Sequence, residues 1–278
     1  LIPTYFTLDY PYSHEDKDAM RKVFLESYTL TKQAHLNVDF LREPELTEEL
    51  EMSKKFEICN KTKLLIAPNL QKLTGPFWNA VYDWVESGGT FYCSYHYDMW
   101  IHIFGKLFGA EHKLKFGIHD IPENNNVDIT FQKDFYDIDR GEKFSFKILT
   151  QTEDEAFCPI KPIEAEVIAE DRKGRPAVIL NRIGKGNVVF STYPLEYYLS
   201  RVKEVHRKDF TYIFYRALSK LSNTKTLFTT DNPGVEIVVV RHKNRDKFLI
   251  WVINHTREGT RGIITTEFKI ESVSDFET

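Results

Sequence analysis

Cys93, His96 and Asp98 close a run that reads Gly88-Gly-Thr-Phe-Tyr-Cys-Ser-Tyr-His-Tyr-Asp98. A thiol, an imidazole and a carboxylate are the parts of a covalent acyl-transfer site. The base draws the proton, the thiolate attacks, and the acid aims the base. Such a thiol has to stand on a strained turn just past a strand. Cys93 falls inside the predicted strand Thr90–Ser94, and the turn comes nearer Tyr95 or His96. A cysteine hydrolase using Cys93 with His96 is one reading. An inert strand thiol is the reading that the spacing favours. A second strand end, Gly184-Lys-Gly-Asn-Val-Val-Phe-Ser-Thr-Tyr-Pro-Leu-Glu196, brings a carboxylate into the same region. Tyr193 there is no candidate base at neutral pH, because an ordinary tyrosine pKa is about 10.

Tyr10, Tyr12, Asn69, Tyr95, His96, Asp98, Tyr193 and Glu196 all follow the predicted carboxyl ends of strands. In an open α/β sheet that edge is the ligand crevice. Tyrosine rings and carboxylates together suit the face and edge of a pyranose, so an oligosaccharide is the ligand such a crevice would take. The bland alternative is an interface or a filled, vestigial pocket. His96, Asp98, His102, His112 and His119 cluster in sequence, yet His96 and His102 are six apart and share no helical face. Neither a metal nor a cofactor is expected. Gly184-Lys-Gly186 lacks the spacing of a phosphate loop and reads as a turn between two strands.

The elements that must carry these residues alternate. Residues 2–9 read as a strand, and Ser13 caps a helix whose stripe is Met20, Val23, Phe24, Ser27, Leu30 and Ala34. Leu36–Leu41 reads as a second strand and Leu64–Ala67 as a buried one. Phe77, Val81, Trp84 and Val85 mark a helix that Gly88-Gly89 stops. Residues 99–110 read as helical. Between 111 and 160 the text turns β-rich, with period-two alternation at 127–131 and 143–148. Strands return at 166–169, 177–180 and 188–190, followed by a helix over 203–221. The fold class is therefore α/β, a doubly wound sheet with a β-rich excursion, over about residues 1–222. From about 227 to 278 only strand patterns remain, at 235–240, 247–253 and 262–266. They suggest a small antiparallel meander, marginal by itself.

Composition narrows the functions. The 278 residues carry a formal net charge of -4, so no basic field draws in nucleic acid. The longest apolar runs are of strand length, far short of the roughly 20 residues that span a membrane. Cys59, Cys93 and Cys158 form no CxxC pair and read as free thiols of a reducing compartment, so the cytoplasm is the expected location. No signal peptide is visible, and because the chain starts at Leu1 its true N-terminus is expected upstream. Aromatic residues make up 14%, enough to fill a core and still supply contact surfaces.

Four phrases occur in order: Trp84-Val-Glu-Ser-Gly-Gly-Thr-Phe-Tyr92, Ile103-Phe-Gly-Lys-Leu-Phe-Gly109, Ile183-Gly-Lys-Gly-Asn-Val-Val-Phe-Ser-Thr-Tyr-Pro194 and Trp251-Val-Ile-Asn-His-Thr256. Together they resemble the non-catalytic half of family 42 beta-galactosidases and related mannanase-like glycoside hydrolases. The resemblance implies a flavodoxin-like fold of the class I glutamine amidotransferase kind, the trimerisation domain of those enzymes, followed by a small β domain. It also implies a catalytic (β/α)8 barrel upstream, in the same or a neighbouring subunit, and self-association of the chain. The two carboxylates of the retaining chemistry would lie on that barrel, so no catalytic residue is assigned here. Trp78, Trp100, Tyr197 and Tyr198 are expected to be exposed anchors of the interfaces.

Overall fold

The computed structural model describes residues 14–41, 62–70, 73–99, 101–113, 120–203, 209–243, 247–256 and 258–273. Helix α1, His14–Gln33, buries Met20, Val23 and Leu30 along one stripe, and buried Ala34 follows just past its end. It ends in a Schellman motif: Leu36 N–H reaches Thr31 O, His35 N–H reaches Lys32 O, and His35 takes φ 60°. The chain leaves this cap without forming a strand, so the strand expected over Leu36–Leu41 is absent. Instead Leu36 is buried against the core, and Phe40 stacks on Tyr28 at 5.8 Å. The strand expected at 2–9 and the cap at Ser13 lie outside the described residues.

Strand β1, Leu64–Ala67, leads to α2, Gly75–Ser87, and β2, Thr90–Ser94, which lies parallel to β1. Among the described residues, short α3, Phe104–Phe108, is all that forms of the helix expected over 99–110. Strands β3 (Ala110–His112), β4 (Asn126–Phe131), β5 (Lys143–Lys147), β6 (Ile160–Pro162), β7 (Glu166–Asp171), β8 (Pro176–Ile183) and β9 (Gly186–Ser191) follow. The main sheet has seven strands in the order β1-β2-β9-β8-β7-β4-β5. Only β1, β2 and β9 are parallel, so the expected doubly wound sheet covers one side and a mixed sheet is found. Its cause is connection length. Gly184-Lys185 joins β8 to β9, and so short a link permits only an antiparallel hairpin. Gly184 has φ 56°, and a Cβ there would lie 2.5 Å from Glu86 O, so the turn needs glycine. The β-rich stretch is no separate excursion, since β4 and β5 extend the same sheet.

Two helices close the layer. Helix α4, Leu195–Ser200, starts directly after β9 and carried no sequence signal. Helix α5 covers Tyr212–Leu221, the second half of the expected 203–221. Side chains of α1, α4 and α5 fill one face of the sheet around Tyr92, Val189 and Phe214. Those of α2 and α3 fill the other around Trp78, Phe91, Cys93 and Phe190. The strands β10 (Phe228–Thr230), β11 (Val235–Arg241), β12 (Phe248–Asn254) and β13 (Ile264–Thr266) make two ribbons, β11–β12 and β10–β13. No meander forms, because the stretch between β12 and β13 is too long for a tight hairpin. His35 Nε2 meets Thr230 O at 3.0 Å, and Lys32 pairs with Glu236 at 3.0 Å, so α1 holds both ribbons.

Candidate functional site at the strand ends

The carboxyl ends of β1, β2 and β9 converge, and α4 starts above them. Asn69 leaves β1 in the left-handed region at φ 47°, a conformation that asparagine tolerates. There its N–H donates to Ser94 Oγ at 2.7 Å, and its Nδ2 donates to Tyr95 O at 2.7 Å. Ser94 ends β2 and passes its own proton to Glu196 Oε2. Glu196 lies in the first turn of α4 and is wholly buried. Its Oε1 accepts from Tyr92 OH at 2.7 Å and Tyr215 OH at 2.8 Å. Since the Tyr215 proton is engaged there, Ser27 Oγ is the donor in its 2.9 Å contact with Tyr215 OH. One carboxylate thus gathers hydroxyls from β2 and α5, and through Tyr215 it reaches α1.

Burial comes first in raising the Tyr92 and Tyr215 pKa values, and the Glu196 charge adds to it. Both tyrosines therefore stay neutral donors. Glu196 has each oxygen engaged by at least one donor, so a substrate proton would have to displace an existing bond. Glu26, on α1 beside Ser27, is pushed up to about 7 by burial, then by Asp209 and Glu196.

Alternation along β2 divides the groups of the supposed thiol site. Tyr92 belongs to the face of α1 and α5, whereas Phe91, Cys93 and Tyr95 belong to the face of α2 and α3. Cys93 is wholly buried, and burial, then Glu196, drives its thiol pKa well up. A nucleophilic cysteine needs the opposite. His96 is buried too, stacks on Tyr97 at 4.5 Å, and its Nδ1 accepts the Asp98 N–H at 3.0 Å. That bond occupies the nitrogen with a backbone donor. Among the described residues no three His, Cys, Asp or Glu converge as a metal site.

The crevice residues do not form one open surface. Tyr193 is buried, donates to Asp171 Oδ2 at 2.7 Å and stacks on Phe157 at 5.0 Å. Arg175 Nε also bonds Asp171 Oδ2, at 2.6 Å, and holds that carboxyl below its usual range alongside Tyr193. Tyr95 is buried in the α2 core. Asn69 and Glu196 are the members that meet, through Ser94 between them. Tyr10 and Tyr12 lie outside the described residues. Ser27, Tyr92, Ser94 and Tyr215 complete the cluster and went unrecognised. Ser94, as the last residue of a strand facing Glu196, carried a usable signal, whereas Tyr215 comes from a distant helix and carried none.

The interface anchors need correction. Trp78, Tyr197 and Tyr198 are 0%, 2% and 1% exposed and form part of the chain's own core. Tyr198 OH donates to Glu155 O at 2.7 Å, and Tyr197 OH accepts from Arg201 at 2.8 Å. Large rings on helices that cover a sheet are drawn inward by their area. Trp100 lies outside the described residues. A groove of about 520 Å³ lies between α2, α3 and the β8–β9 hairpin, lined by Tyr82, Lys106, Gly109, Glu164 and Arg182, away from the strand ends. Among the described residues no helix is long and apolar enough to cross a membrane.

No family model matches the chain, and no curated protein matches it. Solved structures do. The beta-galactosidase of Bacillus circulans sp. alkalophilus matches 87% of this chain with 32% of its own, at 20% identity and a TM-score of 0.60. A catalytic mutant of a GH42 beta-galactosidase from G. stearothermophilus matches 90% with 33%, at 18% identity and a TM-score of 0.60. An exo-beta-1,4-mannosidase from Opitutaceae bacterium strain TAV5 matches 74% with 31%, at 16% identity and a TM-score of 0.53. The chain thus shares a fold with about a third of the length of these glycoside hydrolases.

Proposed function

We propose that this chain is an assembly and cleft-shaping region of a larger glycoside hydrolase, and that bond cleavage belongs to another part of that protein. In this role residues 1–222 form a flavodoxin-like, amidotransferase-related domain of the trimerisation type, and 227–278 form a small β domain beside it. The partner is a catalytic (β/α)8 barrel of the same or a neighbouring subunit, and the chain self-associates. The parent enzyme acts on β-linked galactosides or mannans. The observation that carries the proposal is the strand-end site itself. Its carboxylate is buried and engaged by three hydroxyls, and the Cys93 and Cys158 thiols beside it are buried with raised pKa values. The fold shared with part of several glycoside hydrolases supports the identity of the parent.

The test is turnover by the chain alone. Aryl β-galactosides, aryl β-mannosides and glutamine are supplied, and no hydrolysis above background is expected from wild type or from Glu196→Gln. Glycoside cleavage that one carboxylate substitution in this chain abolishes would refute the proposal.

A further inference from the structure

Every residue that lines the groove between α2, α3 and the β8–β9 hairpin is among those described. At about 520 Å³ the groove falls in the size range of small-molecule sites. One of its lining groups is a buried amide. Asn181 of β8 is 4% exposed, and its Nδ2 donates to Leu107 O at 3.0 Å. That bond fixes the amide, so Oδ1 is left as an acceptor with no partner among the described residues. Gly109 keeps the oxygen uncovered, because a Cβ at that position would lie 2.7 Å from it. The wall beside it is firmly held. Gly109 O accepts from the N–H groups of Ile163, Glu164 and Ala165 at 2.9, 2.9 and 3.0 Å. Polar groups fixed in advance lose less freedom when a ligand arrives.

Charge narrows the ligand. Glu86 of α2 runs along Gly184, where a Cβ would lie 2.8 Å from Glu86 Cγ. Glu164 lines the link from β6 to β7. Lys106 of α3 sets its Nζ 3.7 Å from the centre of the Tyr82 ring, a cation–π contact that holds the ammonium at the groove. None of these three charges makes an ion pair among the described residues. Glu111 and Arg182 add one charge of each sign to the lining. Charges of both signs disfavour a ligand that is wholly anionic or wholly cationic, and the amide disfavours one that is wholly apolar. A neutral hydroxylated ligand satisfies them all. Each of its hydroxyls can donate to a carboxylate or to Asn181 Oδ1 and accept from Lys106. Ile163, 55% exposed, offers an apolar surface to the C–H face of such a molecule.

We infer that this groove binds a short neutral saccharide and holds it uncleaved, with Asn181 Oδ1, Glu86 and Glu164 as acceptors and Lys106 as donor. The kind of sugar rests on the parent enzyme proposed above, whereas the groove chemistry stands on its own residues.

Amide resonances of the isotope-labelled chain, followed while β-linked galactobiose or mannobiose is added, read the outcome. Saturable shifts are expected at Gly105, Gly109, Gly184 and the Asn181 side chain with at least one of the two sugars, and not with glycerol. Glu86 and Glu164 are exposed, so Glu86→Ala and Glu164→Ala should keep the wild-type circular dichroism spectrum. Each should weaken binding about tenfold, the loss of one hydrogen bond to a charged group. Shifts that gather instead at Asn69 and Ser94, equal shifts with glycerol, or full affinity in either variant overturn the groove as the site. The absence of any saturable shift overturns it too, and each of these results leaves the assembly role standing. Hydrolysis of either disaccharide by the chain overturns both the holding site and the assembly role.

Discussion

Glu26 gives the chain a stability that falls as pH rises from its ordinary pKa through the folded one. The acid is 6% exposed and sits near two other carboxylates, Asp209 and Glu196. Its pKa rises from an ordinary 4.5 to about 7, chiefly by burial. The folded chain therefore holds a proton that the unfolded chain has already released between those values. Stability is undiminished below the ordinary value and is lost as pH climbs through the folded one, by about 3 kcal/mol in full. Other groups work in different windows. His35 is held below its ordinary 6.5 by burial, so its contribution rises with pH through 6.5 and levels off about one unit higher, offsetting part of the Glu26 loss by about 0.4 kcal/mol. Asp128, Asp171 and Glu236 are lowered by their partners, and their contributions are complete well below neutrality. Asp209 is raised and adds to the Glu26 trend.

Between pH 6.5 and 8 the Glu26 contribution is thus exposed, and integrating its titration gives a loss of about 0.8 kcal/mol. Urea unfolding followed by far-UV circular dichroism at both pH values measures it, provided the transition is two-state. Glu26→Gln keeps the shape and removes the charge. It should be more stable than wild type at pH 8 and nearly flat over the window. Parallel curves for wild type and variant, or a wild type that gains stability on going to pH 8, would refute the assignment.

Further perturbations address the strand ends and the core. Glu196→Gln sets an amide donor among hydroxyls that already donate, and should destabilise by about 2–4 kcal/mol in urea unfolding. Tyr215→Phe removes one donor and should lose only about 1–2 kcal/mol, so equal losses would mean that the carboxylate is not the hub. Cys93 and Cys158 should react with an aromatic disulfide reagent only as fast as the chain opens, and a fast native-state phase mapped to Cys93 would contradict its burial. Gly109 has φ 62°, and a Cβ there would lie 2.7 Å from Asn181 Oδ1. Gly109→Ala should accordingly lower stability by about 1–3 kcal/mol, seen as a drop in melting temperature.

Legibility in the sequence followed the range of the interactions. Helix α2 was readable because Phe77, Val81, Trp84 and Val85 repeat at helical spacing and Gly88 closes the turn, with its N–H on Val85 O. Helix α4 was not, because its Leu-Glu-Tyr-Tyr-Leu-Ser is buried on nearly every side and has no amphipathic contrast. Strand direction was misjudged where it depends on connection length rather than on pattern. A buried antiparallel strand such as β8 carries the same run of apolar residues as a parallel one. The region of the site was legible as strand ends, but its membership was not. Whether a tyrosine lines a crevice or a core is decided by packing across the sheet, as Tyr95 and Tyr193 show.

Glu196 shows how a chemically apt residue becomes a structural one. A buried carboxylate is tolerable only if its lone pairs are met by donors, and unmet burial would cost several kcal/mol. Here the donors come from two positions of β2 and one of α5, with Ser27 of α1 behind Tyr215. Each bond that makes the burial tolerable also removes an acceptor site that catalysis would use. The same bonds tie the sheet to α1, α4 and α5 on one of its faces, at the point where α/β enzymes keep their reacting groups. A chain that fixes its strand ends in this way gains rigidity there, which suits a wall or a platform for a neighbouring domain. Chemistry that used Glu196 and Cys93 together would mean freeing one and exposing the other on opposite faces of β2 at once, a change that the packing of Tyr92 and Phe91 on either side resists.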